Sequence, residues 1–178
     1  MIESKLQEIV DRHEIWQVLQ RYGRGLDRLD QALVRSCYFD DAIDDHGIVV
    51  GGVDKFIEWA NGTTLAFVTT QHGVMNHYCE LKGDDAHAET YFTFIGVAAR
   101  APHLMSIGRY VDHFQRRRGE WRIANRVTII EKAFDLSDCS LGTIADGSQE
   151  FGTPPPATRD RNDVSYQRPL KPRRPAGV

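Results

Sequence analysis

The spacing of apolar and polar positions changes part-way along the chain. From residue 3 to about 28 the apolar residues recur every three or four positions. One row runs Leu6, Ile9, Val10, His13, Trp16 and Gln20, and a second Ile15, Val18, Leu19, Tyr22 and Leu26. Two such rows predict a long helix buried over much of its girth. Asp30 stands where it would cap a short helix from Gln31 to Cys37, ending at Tyr38-Phe39. Asp40-Asp41 and Asp44-Asp45 flank an edge-like segment that reaches Gly47. Ile48 to Val50 reads as a small strand broken by Gly51-Gly52, and a third helix is expected from Val53 to about Leu65.

From Thr69 onward the period is two. Strands are expected over Thr69 to Leu81, Ala86 to Ala98, Met105 to Arg116 and Trp121 to Ala133. Lys82-Gly83-Asp84-Asp85 and Arg117-Arg118-Gly119-Glu120 have the residues of tight reversals, and Arg100-Ala101-Pro102 breaks the run between the second and third strands. Helices first and hairpin-linked strands afterwards imply an α+β fold with an antiparallel sheet. Helices can cover one face of such a sheet while its strands curve round a pocket.

Composition adds an asymmetry to this picture. The 178 residues carry 22 Lys and Arg against 25 Asp and Glu, a net charge of −3. Six of the seven prolines lie in the last 25 residues, where six basic residues face two acids, so that stretch is +4 and the remainder −7. The fold should be complete by residue 134, leaving 135–178 as a Pro-rich extension whose second half is basic. Phe151, Tyr166 and Leu170 are its expected anchors, docking it on the body or on a neighbouring subunit as a clasp at the cavity mouth. An acidic body argues against a nucleic-acid partner, which needs clustered positive charge. No apolar run approaches the ~18 residues of a membrane span, and the N-terminus lacks the apolar core of a signal peptide. Cys37, Cys79 and Cys139 form neither an even set nor a CxxC pair, so no disulfide framework or thiolate metal site is expected, and a reducing cytoplasm is the expected location.

Histidine is the side chain that titrates near neutral pH, so the seven here are the first candidates for chemistry. Strict alternation would put His72, Val74 and Asn76 on one strand face and Gly73, Met75 and His77 on the other, so His72 and His77 could not share a metal. No HxH or HExxH spacing is present; His46 beside Asp44 and Asp45 reads as a solvated loop sooner than a ligand group. On the first helix Asp27 shares a stripe with Trp16, Gln20 and Gly23. A glycine inside a helix costs about 1 kcal/mol relative to alanine, so Gly23 should serve close packing or leave room for something. Asp27 itself reads either as a buried orienting carboxylate or as an exposed acid near Arg24 and Arg28. Arg122 and Arg126 share a strand face with Ala124 under strict alternation, opposite Ile123, Asn125 and Val127, and one of them could turn into a cavity.

The order of these segments resembles a known family. Tyr22-Gly-Arg-Gly-Leu-Asp27-Arg-Leu-Asp30 on the first helix is followed by Phe39-Asp40-Asp41-Ala42, Thr70-Gln-His72-Gly-Val-Met-Asn76, Gly83-Asp84-Asp85-Ala86 and Gly119-Glu-Trp121-Arg-Ile. Over residues 3–134 this is similar to the SnoaL-like branch of the nuclear transport factor 2-like superfamily, and Arg159-Asp-Arg-Asn-Asp-Val-Ser-Tyr166 resembles the tail of SnoaL-like proteins from catabolic gene clusters. The resemblance implies a cone-shaped α+β barrel, a curved sheet and N-terminal helices around a deep apolar cavity. Its members include polyketide cyclases, scytalone dehydratase, steroid isomerases, lindane dehydrochlorinase and bile-acid 7α-dehydratase, several of which use a His–Asp dyad without metal or organic cofactor.

Carried over, Asp27 and His72 match the dyad, Tyr22 a tyrosine of the bile-acid dehydratase, and Arg126 an arginine on the last strand. Trp16, Gly23, Asn76 and Thr93 are the expected substrate contacts. Thr93 is the polar residue closest to a second acid of the bile-acid dehydratase that this chain lacks. The implied activity is a cofactor-free lyase or isomerase, foremost a dehydratase, acting on a hydrophobic polycyclic, steroid-like or aromatic metabolite in a homo-oligomer (dimer or trimer). A polyketide-cyclase-like isomerase and a non-catalytic binding or dioxygenase small-subunit-like module are the alternatives.

Overall fold

The computed structural model describes residues 2–138 and 158–172. The chain divides into two compact units, 1–138 and 139–178. The first unit opens with helix α1 (Ile2–Asp27), then α2 (Gln31–Ser36), β1 (Tyr38–Asp45), β2 (Val50–Gly52) and α3 (Val53–Leu65). Four long strands follow: β3 (Thr69–Lys82), β4 (Asp85–Val97), β5 (His103–Arg117) and β6 (Glu120–Leu136). Asp30 caps α2 by accepting from the Leu33 N–H. Gly51 and Gly52, expected to break a strand, lie inside β2 instead and pair with Asp44 and Ile43 of β1.

The six strands form one curved, unclosed sheet in the order β2-β1-β6-β5-β4-β3. The neighbours are antiparallel except β1 and β6, which run parallel, so the sheet is mixed, where a purely antiparallel one was expected, and it is no closed barrel. Arg118 and Gly119, with φ of 56° and 83°, make the β5–β6 turn. Positive φ at both central residues matches the right-handed twist of the strands it joins.

Helix α1 is buried on one side only. Ile15, Val18, Leu19, Tyr22 and Leu26 enter the core, whereas Leu6, Ile9 and Val10 of the other expected row are exposed. The core lies between this stripe, α3 and the concave sheet face, and is rich in large rings: Tyr22, Tyr38, Tyr110, Phe56 and Phe114 are all buried.

Bulges determine which residues face inward. The register slips between Val74 and His77 on β3, so Val74 opposes Phe92 and His77 opposes Thr90. One extra residue reverses the alternation beyond it. His77 therefore faces inward with His72, and Asn76 is left exposed. A second slip, at His113/Phe114, places Asn125 opposite His113 and Ile123 opposite Phe114, with Ala124 as the extra residue. It turns Trp121, Ile123, Arg126 and Thr128 to one side and leaves Arg122 on the other, against the strict alternation that grouped Arg122 with Arg126.

His77 is half-buried beside Trp16, ring centroids 5.5 Å apart, with Nδ1 hydrogen-bonded to the Thr90 hydroxyl at 2.8 Å. Burial holds its pKa below the ordinary histidine value. The folded chain thus binds fewer protons than the unfolded chain once pH drops into the ordinary histidine range, and stability is lost there on acidification. Replacing His77 by Gln should flatten the fall in unfolding free energy between about pH 7 and 5. Denaturant titrations at several pH values check this; equal slopes in the two proteins would contradict it.

In the second unit the described residues contain one 3-10 turn, Val164–Tyr166, capped by Asp163 accepting from the Ser165 N–H. The expected anchor Phe151 lies outside the described residues. No helix among the described residues is long and apolar enough to cross a membrane.

Candidate active site

Asp27 is the last residue of α1. A carboxylate there sits at the negative end of the helix dipole, an unfavourable place, so helix physics does not account for it. Its bonds to β3 do. Asp27 Oδ1 accepts from the Thr70 hydroxyl at 2.9 Å and is 2.7 Å from His72 Nδ1, while Oδ2 accepts the His72 backbone N–H at 2.9 Å. Thr70 and His72 are two apart on one strand and present both groups to the same side. With Nδ1–H given to the carboxylate, the other ring nitrogen of His72 is the basic one. Both side chains are largely buried, with 9% of His72 and 16% of Asp27 exposed.

Close approach of α1 to β3 makes this possible. A Cβ on Gly23 would stand 3.5 Å from the His72 Cβ. Gly23, an expected substrate contact, spaces helix and strand here and also lines a polar groove beside the pair.

His72 lines a cavity of about 260 Å³ whose walls include Leu26, Phe56, Trp59, Phe94, Tyr110 and Ile130. Phe94 packs on the His72 ring at 4.9 Å. On the other side of the pair a polar groove of about 290 Å³ runs past Gln20, Arg24, Asp27 and Gln71. The wall of the cavity is mainly carbon, and besides His72 its polar residues are His46, Thr63, Thr64, Ser106, Tyr110 and Thr128.

Other expected contacts are elsewhere. Trp16 is about three helical turns before Asp27 and packs on His77 instead. Thr93 lies on the outer face of β4, its hydroxyl toward Met75, because the inward residues of that strand are Thr90, Phe92 and Phe94. Asn76 is exposed beside the bulge.

Tyr22 and Arg126 do not line the cavity either. Arg126 is fully buried and gives Nε and Nη2 to the two carboxylate oxygens of Asp112, at 2.6 and 2.7 Å. Its guanidinium carbon lies 4.2 Å from the Tyr22 ring centroid and 4.1 Å from that of Tyr110. Burial raises the Tyr22 and Tyr110 hydroxyls well above the ordinary tyrosine value, outweighing the arginine, so both stay protonated. Of these three residues only Tyr110 reaches the cavity wall.

A family model described as a SnoaL-like domain matches residues 7–127. The chain belongs to the SnoaL-like family. That places it in the nuclear transport factor 2-like superfamily. This SnoaL-like chain is also similar in fold to solved structures. A putative scytalone dehydratase from Novosphingobium aromaticivorans shares 17% identity, with a TM-score of 0.68 over 78% of this chain and 94% of that one. Hexachlorocyclohexane dehydrochlorinase LinA-type3 from Novosphingobium barchaimii shares 17%, with a TM-score of 0.69 over 76% and 96%. A putative aromatic ring hydroxylase from Novosphingobium aromaticivorans shares 20%, with a TM-score of 0.66 over 71% and 94%. No curated protein matches by sequence.

Two groups at the SnoaL-like site escaped the sequence reading. Thr70 was visible in principle, since a hydroxyl two residues before His72 shares its strand face. His46 was taken for a solvated loop residue, yet it is in the cavity wall, stacked on Phe56 at 4.7 Å and beside Trp59 at 5.3 Å. The signal was Asp44-x-His46, where strand spacing sends both side chains to one side. Among the described residues no group of three or more His, Cys, Asp or Glu could hold a metal ion, and Cys37 and Cys79 are free thiols.

Proposed function

We propose that the protein is a cofactor-independent lyase, a dehydratase in which His72, oriented by Asp27, removes a proton from carbon in a small cyclic substrate. The observation that carries this reading is the 2.7 Å bond between His72 Nδ1 and Asp27 at the wall of an apolar cavity. A carboxylate on Nδ1 fixes the tautomer and stabilises the imidazolium that forms when the other nitrogen takes a proton. Histidine needs little adjustment for such work near neutral pH. As the proton leaves, negative charge builds on the neighbouring carbonyl oxygen. The Tyr110 hydroxyl, kept protonated by burial and backed by the Arg126 guanidinium, is the donor for that charge in place of Tyr22. A proton returned to a different carbon would give an isomerase by the same groups.

The cavity argues for substrate size. Its volume of about 260 Å³ lies below the range of roughly 300–1,000 Å³ usual for drug-sized ligands. One or two fused rings suit it better than the four rings of a steroid. The names of two similar structures, a putative scytalone dehydratase and a hexachlorocyclohexane dehydrochlorinase, point to eliminations as well. The test is a panel of cyclic β-hydroxy ketones, aromatic hydroxy acids and hydroxysteroids, followed by mass for loss of water. Turnover should be confined to one- and two-ring compounds; turnover of hydroxysteroids alone would refute the size argument, and none at all the dehydratase.

A further inference from the structure

The cavity has a second histidine with its own buried carboxylate. His46 Nδ1 is hydrogen-bonded to Asp44 Oδ1, and the Tyr38 hydroxyl donates to Asp44 Oδ2 at 2.6 Å. Asp44 and Tyr38 are fully buried, and only 13% of the His46 side chain is exposed. The Thr128 hydroxyl lies 3.2 Å from His46 Nδ1 and 3.4 Å from Nε2, and Thr128 also lines the cavity. With Nδ1–H bound to Asp44, Nε2 is the nitrogen free to exchange a proton. Phe56 and Trp59 hold the ring in this position.

Asp44 and Asp112 are both buried carboxylates, and Arg126, the one buried guanidinium among the described residues, has both its hydrogen bonds on Asp112. A buried carboxylate without a counter-charge is costly. When His46 carries a proton on each ring nitrogen it supplies one for Asp44, and it then has a proton to give.

We propose that His46 is a second catalytic residue, the general acid that protonates the departing hydroxyl, with Asp44 and Tyr38 as its positioning residues. This rests on the reading of His72 as the base. While His72 Nε2 takes the proton from carbon, the C–H electron pair becomes the new C=C bond and the C–O bond breaks toward oxygen. That oxygen takes the proton from His46 Nε2 and leaves as water. His72 ends as an imidazolium and His46 neutral, and exchange with solvent restores both. A leaving group that departs as a stable anion needs no such acid.

The test compares 3-hydroxycyclohexanone with 3-acetoxycyclohexanone, one-ring probes that both yield cyclohexenone, using the full chain. The readout is the ratio of the two rates, which does not depend on the fraction of protein folded. His46→Gln should lower the hydroxyl-to-acetate ratio about 100-fold, and Asp44→Asn should lower it in the same direction. His72→Gln should depress both rates together and leave the ratio near that of the wild type. An unchanged ratio in His46→Gln, with both rates still depressed in His72→Gln, would overturn the assignment of His46 alone. A wild-type protein inert toward both probes, or a fully active His72→Gln, would overturn the base and this inference with it.

Discussion

Asp27→Asn should lower turnover by about 10³–10⁴-fold while the protein stays folded. All three bonds that Asp27 makes to β3 are accepted ones: from the Thr70 hydroxyl, the His72 Nδ1–H and the His72 backbone N–H. An amide replaces one accepting oxygen with a donor, so either the Thr70 hydroxyl and the His72 Nδ1–H together, or the His72 backbone N–H, face a second donor. If the amide nitrogen faces the ring, His72 must change tautomer, moving its proton to the nitrogen that should act as base. If it faces the backbone, the strand loses its tie to the helix end and the ring its alignment. His72→Ala removes the base outright, with a loss of about 10²–10⁴-fold. Ligand affinity should change little in either variant, because apolar wall residues supply most of the contact. Steady-state rates with unchanged circular dichroism check the prediction; activity within tenfold of the wild type in either variant would speak against the pair.

Asp112→Ala should unfold the protein sooner than it alters the chemistry, at a cost of about 3–5 kcal/mol. Arg126 is enclosed by Tyr22 and Tyr110, and both its hydrogen bonds go to Asp112. Without Asp112 the guanidinium would keep its contacts with the Tyr22 and Tyr110 faces, about 0.5–2 kcal/mol each. It would retain a buried charge with no anion bonded to it. The double variant Arg126→Met, Asp112→Leu should regain most of the stability, since an apolar pair of similar volume is often as stable as a buried ion pair. Urea denaturation of the three proteins measures this. A single Asp112→Ala variant as stable as the wild type would show that Asp112 is not what holds Arg126.

This placement of Arg126 shows where the sequence is readable and where it is not. The helices and long strands follow from periodicity, and their ends agree to within a few residues: α3 was expected from Val53 and runs Val53–Leu65. Asp27 and His72 are brought together as the resemblance implied, because the end of one helix and the start of one strand are fixed by sequence-local signals. Facing is another matter. Asn76 was put on the His72 face by counting in twos, and the bulge after Val74 turned it outward and His77 inward. Arg122 and Arg126 were separated the same way by the extra residue Ala124. A bulge leaves no composition signal, since it is set by how neighbouring strands pair. Trp16 and Thr93 failed for a different reason: each has a side chain suited to a cavity, and neither position reaches it. His46 was missed in the opposite direction, a polar residue among acids that the fold carries into an apolar wall.

If His72, held by Asp27, takes a proton from carbon inside this cavity, it should do so whether or not a leaving group is present. The most direct measurement removes the leaving group from the question. Cyclohexanone, a one-ring ketone, is incubated with the protein in deuterium oxide, and uptake of deuterium beside the carbonyl is followed by mass or proton resonance. Exchange should run well above the buffer rate for the wild type, be retained in His46→Gln, and be lost in both His72→Gln and Asp27→Asn. Exchange in His72→Gln equal to that of the wild type would contradict His72 as the base.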